Sequence, residues 1–169
     1  MNDEGFESSV RQHQHRVHSH AVWILHDAEE ARDVTQEAMV SLWQHRSEVP
    51  EPAARSWLLR TSYRLCLDRL RRRAVRAAAA EDAMAAPQAD PAPDPERLAV
   101  SAALGAQLER ALLRLLPRDR AVVVLREVEG FSYDEIARLL DIPLGTVKAI
   151  LHRSRERLCE TLSREGVRP

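Results

Sequence analysis

The chain is short of glycine, aromatic residues, cysteine and, above all, lysine. Five glycines in 169 residues, with few β-branched runs, leave too little turn and strand material for a sheet protein. Two cysteines, Cys66 and Cys159, stand far apart; that spacing builds neither a disulfide framework nor a metal site and fits a reducing cytoplasm. No apolar run approaches the ~20 residues of a membrane-crossing helix. The first residues, MNDEGFESS, are acidic where a secretion signal is basic. A soluble, cytoplasmic protein without membrane insertion is expected. Also missing are a glycine-rich phosphate loop, G-x-S-x-G, H-E-x-x-H and any cysteine–histidine pairing of suggestive spacing. Those gaps speak against an enzyme and imply no cofactor.

What is present is helical. Alanine, leucine, arginine and glutamate dominate, all strong helix formers, so the expected fold class is all-α. A net charge of −1 hides a partition. Residues 1–52 carry 4 basic and 10 acidic side chains, and residues 53–80 carry 8 arginines against Asp68. Residues 81–100 hold Arg97 against 5 acids, and residues 101–169 hold 12 basic and 10 acidic groups. One sharply basic segment in a neutral chain suggests a local polyanion contact flanked by protein-binding surfaces.

From Phe6 to His26 the spacing predicts a helix with Phe6, Val10, Val17, Ala21, Ile24 and Leu25 inward. It carries His13, His15, His18 and His20. His15 and His18 can share a face, but no cysteine or close carboxylate pair completes a shell, so no metal is assigned. Asp27–Arg46 predicts a second helix with Val34, Ala38 and Leu42 as its core stripe. Asp33, Gln36 and Glu37 lie together off that stripe, at i, i+3 and i+4. This acidic, glutamine-bearing patch suits docking of a basic partner surface. Ala53–Ala80 predicts a long helix in which Trp57, Leu58, Thr61, Leu65 and Leu70 can face a core. Arg60, Arg64, Arg71, Arg72, Arg73 and Arg76 cover much of the rest, the footprint of phosphate contact.

Glu81–Glu96 holds four prolines among small polar residues and cannot build a core. The organisation is therefore two small helical domains, 1–80 and 98–169, joined by a flexible acidic linker, 81–97. In the second half, Leu98–Leu116 and Arg118–Glu129 read as helices, the latter ended by Gly130. Then comes Phe131–Leu158. Ser132 and Glu135 have the spacing of a capping box, which starts a helix. Asp141-Ile142-Pro143 breaks that helix, and Pro143 suits the first turn of the next. On the following helix Val147, Leu151, Ser154 and Leu158 share one face, while Lys148, Ala149, His152, Arg153 and Glu156 share the other. This is the pattern of a helix-turn-helix, whose second helix lies in the DNA major groove.

Three stretches in this order, DAEEARDVTQEAMVSLWQ, SWLLRTSYRLCLDRLRRR and LLRLLPRDRAVVVLREVEGFSYDEIARLLDIPLGTVKAILHRSRERL, resemble a bacterial RNA polymerase sigma factor of the extracytoplasmic-function (ECF) type. The resemblance implies a sigma-two-like domain and a sigma-four-like helix-turn-helix domain with none between. It implies binding to core RNA polymerase, recognition of double-stranded promoter DNA at two elements, and local melting to a single strand. For many members it also implies a cognate anti-sigma protein. By the same resemblance Asp33, Gln36 and Glu37 match the polymerase-docking patch. The Ala53–Arg73 helix, through Arg60, Arg64, Arg71, Arg72 and Arg73, matches the segment that reads and opens the downstream (minus-ten) element. Gly145, Thr146, Lys148, Ala149, His152 and Arg153 fall on the reader of the upstream (minus-thirty-five) element. The chain departs from the common family pattern at Leu59, at Arg64 and at Ala149-Ile150.

Three other readings stand beside this one. A polymerase-independent helix-turn-helix regulator leaves the acidic patch and tether unexplained. A sigma mimic that titrates an anti-sigma protein would accommodate the departures. A histidine-rich metal sensor would use the first helix.

Overall fold

The computed structural model describes residues 1–79 and 99–164, with side chains over 1–77, at 105 and over 107–164. The expected linker, 81–97, lies outside them. All regular elements among the described residues are helical, and the chain divides into two compact units, Met1–Ala89 and Asp90–Pro169.

The first unit is three helices, α1 (Asp3–Leu25), α2 (Ala28–Gln44) and α3 (Ala54–Ala79), each packed on the other two. Side chains set their starts: Asn2 accepts from the Gly5 amide and Asp27 Oδ1 from the Glu30 amide, both at 2.9 Å. These bonds satisfy amides that a helix leaves unpaired. His26 closes α1 in the left-handed region, φ 52°, its N–H donating to the Val22 carbonyl. Between α2 and α3, Pro50 leads into a short 3-10 turn, Glu51–Ala53.

The α2 stripe is as expected, with Val34, Ala38 and Leu42 fully buried and Ala31 beside them. Each large apolar side chain so placed contributes about 1.5–3 kcal/mol. On α1 the inward row differs from the apolar pattern. Val17, Ala21, Ile24 and Leu25 are buried, but Phe6 and Val10 are half-buried, and Ser9, His13 and His20 are buried in the same row. On α3 the core row is Ala54, Leu58, Leu59, Ser62, Tyr63 and Cys66, whereas Trp57, Thr61, Leu65 and Leu70 are half-buried rim positions. The small residues Ala54, Ser62 and Cys66 alternate with the large Leu58, Leu59 and Tyr63 in this row, as interdigitating side chains in a close-packed core require.

The histidines therefore separate. His15 is exposed and His18 half-buried, while His13 and His20 point inward. Both ring nitrogens of His20 lack a hydrogen-bond partner, and burial pushes its pKa down to about 4. His20 is thus closed off from solvent and without a hydrogen-bond partner among the described residues. No group of side chains suited to a metal ion occurs among the described residues.

The second unit comprises α4 (Ala99–Leu113), α5 (Pro117–Val123), α6 (Tyr133–Leu140) and α7 (Leu144–Arg164); α5 runs on into a π-helical turn, Val124–Val128. Arg120 of α5 is buried, and its guanidinium donates to the carbonyls of Leu112 (3.0 Å), Leu113 (3.3 Å) and Leu115 (3.2 Å). It closes the end of α4, whose last carbonyls have no helical partner. Gly130 takes φ 73°, a left-handed turn that glycine adopts without the steric cost a Cβ brings. It hands over to the buried Phe131, whose carbonyl accepts from Arg126 at 2.9 Å.

The capping box forms as the spacing predicts. The Glu135 amide donates to Ser132 Oγ and the Ser132 amide to Glu135 Oε2 at 2.7 Å. Asp141 ends α6 in the left-handed region, φ 56°, and Pro143 offers its carbonyl to the amides of Thr146 and Val147. Ile136, Leu139 and Leu140 of α6 are buried, as are Val147, Ile150 and Leu151 of α7, and the two helices pack on one another. Ile150, one of the departures from the family pattern, is a core residue at 2% exposure.

Candidate nucleic-acid and protein interfaces

On α2, Asp33, Gln36 and Glu37 are exposed and line one shallow groove of about 360 Å³ with Val40, Ser41 and Gln44. Val40 is 55% exposed, so the groove sets an exposed apolar side chain beside its carboxylates. A second helix contributes a cation that the sequence reading missed. Arg69 of α3 donates to Glu37 Oε1 and lies 3.8 Å from Asp33 Oδ2. One turn on, Arg73 meets Asp27 Oδ2 and Glu30 Oε2, each at 2.9 Å, and the Leu25 carbonyl at 3.3 Å. A signal for this was present. Asp27, Glu30, Asp33 and Glu37 form an acidic helical stripe, and Arg69 and Arg73 are spaced i, i+4 to meet it from an antiparallel helix.

The five arginines read as downstream DNA contacts divide accordingly. Arg64 and Arg71 are exposed, and Arg72 is exposed while pairing with Asp68 at 2.7 Å. Arg60 is half-buried, with its Nε enclosed. Arg73 is turned back on α2. Among them, Arg64, Arg71 and Arg72 present charge outward.

On α7 the outward row is intact. Lys148, Ala149, His152 and Arg153 are exposed, Gly145 is exposed and Thr146 half-buried. A Cβ added at Gly145 would meet nothing within 4 Å, so the backbone there is open to close approach. His152 pairs with Glu156 at 3.2 Å. Beside the row lies a depression of about 320 Å³ lined by Tyr133, Lys148, Leu151, His152, Arg155 and Glu156. Arg155, not singled out in the sequence, is fixed there by Glu127 at 2.7 Å, and its hydrogen bonds to Glu127 and Tyr133 hold its pKa above the usual guanidinium value. A fixed fork and a point charge on one outward face suit phosphate oxygens and guanine edges.

The described residues are all-helical, and a helix-turn-helix in one unit is the arrangement found in DNA-binding transcription factors. Residues 9–76 match the family model described as Sigma-70 region 2, and residues 105–158 match that described as Sigma-70, region 4. The chain is 37% identical over 163 residues to the ECF RNA polymerase sigma factor SigE of Mycolicibacterium smegmatis, covering 95% of this chain and 63% of that one. It is 36% identical over 159 residues to the ECF sigma factor SigM of Mycobacterium tuberculosis, covering 93% and 76%. The chain thus spans just under two thirds of SigE and about three quarters of SigM. The fold is similar to that of the sigma factor RpoE in complex with the anti-sigma factor NepR from Bartonella quintana, with a TM-score of 0.78 at 19% identity over 94% of this chain and 96% of that one. It is also similar to CnrH in complex with the cytosolic domain of CnrY, with a TM-score of 0.68 at 22% identity over 96% and 90%. The protein belongs to the ECF family of RNA polymerase sigma factors. No helix among the described residues is long and apolar enough to cross a membrane.

Proposed function

We propose that this sigma factor acts in the cytoplasm, without enzymatic activity of its own, by joining core RNA polymerase and carrying it to a two-element promoter. The 1–80 domain supplies docking and the downstream contact, the 98–169 domain the upstream contact, and 81–97 the tether. Asp33, Gln36 and Glu37 dock the polymerase. Arg64, Arg71 and Arg72 meet the phosphates of the downstream element, with Arg60 at their edge and Arg73 holding the helix that bears them. Lys148 and Arg153 contact the upstream element, with Gly145 and Thr146 at the backbone, Ala149 facing a thymine methyl and His152 beside them. What carries the reading is the outward row of α7. Lys148 and Arg153 form no ion pair with another described residue, so their charges stand ready for a polyanion.

The likeness to a sigma factor solved with the anti-sigma factor NepR supports control by a protein of that kind. A run-off transcription assay with core polymerase tests the whole reading. Promoter-dependent transcripts are expected, and their absence with intact binding to an anti-sigma protein would favour the titrating mimic. Docking is tested by reversing two charges, Asp33→Lys with Glu37→Lys. Lost attraction and new repulsion amount to several kcal/mol, roughly a hundredfold or more in core affinity. Helicity by circular dichroism should persist, and unchanged core binding would remove the groove from the mechanism.

A further inference from the structure

The acidic stripe of α2 meets two arginines of α3, and the two pairings differ in kind. At Arg73 all three side chains are similarly covered: 36% exposed for the arginine, 37% and 24% for Asp27 and Glu30. That is a strut between helices. At Arg69 the cation is only 20% exposed while its partners Asp33 and Glu37 are 62% and 49% exposed. The guanidinium reaches the carboxylates from beneath and leaves their outer lone pairs open, since a carboxylate can accept about four hydrogen bonds.

We propose that Arg69 is an internal competitor that weakens the attraction of the docking groove for basic surfaces and so sharpens its choice of partner. The proposal rests on the docking reading of Asp33, Gln36 and Glu37. With Arg69 in place the cluster Asp33, Glu37 and Arg69 presents a net charge of −1 instead of −2. A cationic surface that meets only the carboxylates gains little, because it also feels the cation behind them. A surface that in addition covers Gln36 and the exposed Val40 gains contacts that Arg69 does not oppose. Charge thus contributes less to docking and shape more, which is how a penalty on near partners raises specificity. In a chain whose own α3 is strongly basic, a bare acidic groove would also invite the arginines of a second copy. The built-in cation lowers that attraction too.

The test is the association rate of the full chain with core RNA polymerase, at low salt and at about 0.5 M salt, where the screening length falls to about 4 Å. Arg69→Gln keeps a hydrogen-bond donor for Glu37 but removes the charge. It should associate about threefold to tenfold faster at low salt, with the gain vanishing at high salt. Arg69→Lys, which restores the charge, should bring the rate back to that of the parent. Should the glutamine variant not fold, Arg69→Met keeps the aliphatic stem and is read the same way. An equal or slower rate at low salt in a folded, uncharged variant overturns the proposal. In the Asp33→Asn, Glu37→Gln background association should slow, and adding Arg69→Gln should no longer speed it. If that double amide variant associates as fast as the parent, the docking reading itself has failed and this proposal with it.

Discussion

His20 offers a direct thermodynamic test of the first unit. Its imidazole, on α1, is fully enclosed, neither ring nitrogen has a partner among the described residues, and its pKa falls from 6.5 to about 4 through burial alone. The folded state therefore holds the ring neutral, while the unfolded chain takes up a proton near pH 6.5. A base whose folded pKa lies below its unfolded one favours folding fully at high pH and loses that contribution as pH falls. Between pH 7 and pH 5 the loss is roughly 2 kcal/mol, and below pH 4 it levels off at about 3 kcal/mol. Against a typical domain stability of about 5–15 kcal/mol, that is a large share. The perturbation is His20→Leu, which fills a similar space with a side chain that does not titrate. Urea unfolding of both proteins, followed by circular dichroism at half-unit steps from pH 7.5 to pH 4, gives two stability curves. Their difference isolates His20, because the carboxylates titrate alike in both. The parent should lose stability more steeply through pH 6 to 4, and the curves should diverge by about 2 kcal/mol at pH 5. Parallel curves would refute the reasoning and mean that the ring finds a proton acceptor in the folded state.

Three residues of the second unit carry further predictions. Arg120→Ala removes the bonds to the carbonyls of Leu112 and Leu113 at the end of α4 and of Leu115 just beyond it, and leaves a void, which should cost about 3–5 kcal/mol of urea stability, whereas Arg120→Met, which fills the space, should cost less; equal stability of parent and alanine variant would mean that α4 ends without this cap. Arg153→Ala should weaken upstream-element binding by roughly 1–3 kcal/mol at fixed salt, and Ala149→Ser should shift base preference at one position more than overall affinity. Selection from a randomised duplex pool reads both, and a parent that enriches no sequence would end the promoter-reading account of α7.

The parts legible in the sequence are those decided within a few residues. Ser132 and Glu135 find each other across one turn, Pro143 starts a helix by its own geometry, and Val147, Leu151 and Ser154 fall inward by period alone. What escaped was settled between helices. Nothing local marks His20 and Ser62 as buried, because a polar side chain goes inward when the packing of other elements leaves it no alternative. The buried row of α3 mixes small residues with large ones, so an eye for bulky apolar positions chose Trp57 and Leu65 over Ala54 and Cys66. Arg73 shows the same limit at the candidate site. Its charge was evident, but its direction depends on Asp27 and Glu30, more than forty residues earlier in the chain. Ile150 is the converse case: a departure on α7 that turns out to be a packing choice.

Among 25 lysines and arginines only one is a lysine, and it is Lys148 on the exposed face of α7. Guanidinium and ammonium are chemically distinct: acylating reagents and acetyl-transferring enzymes act on amines and pass over arginine. The protein therefore carries a single side-chain address for such chemistry, set on the helix proposed to enter the groove. One acetyl group there would delete a positive charge from the reading face and leave the arginines of α3 as they were.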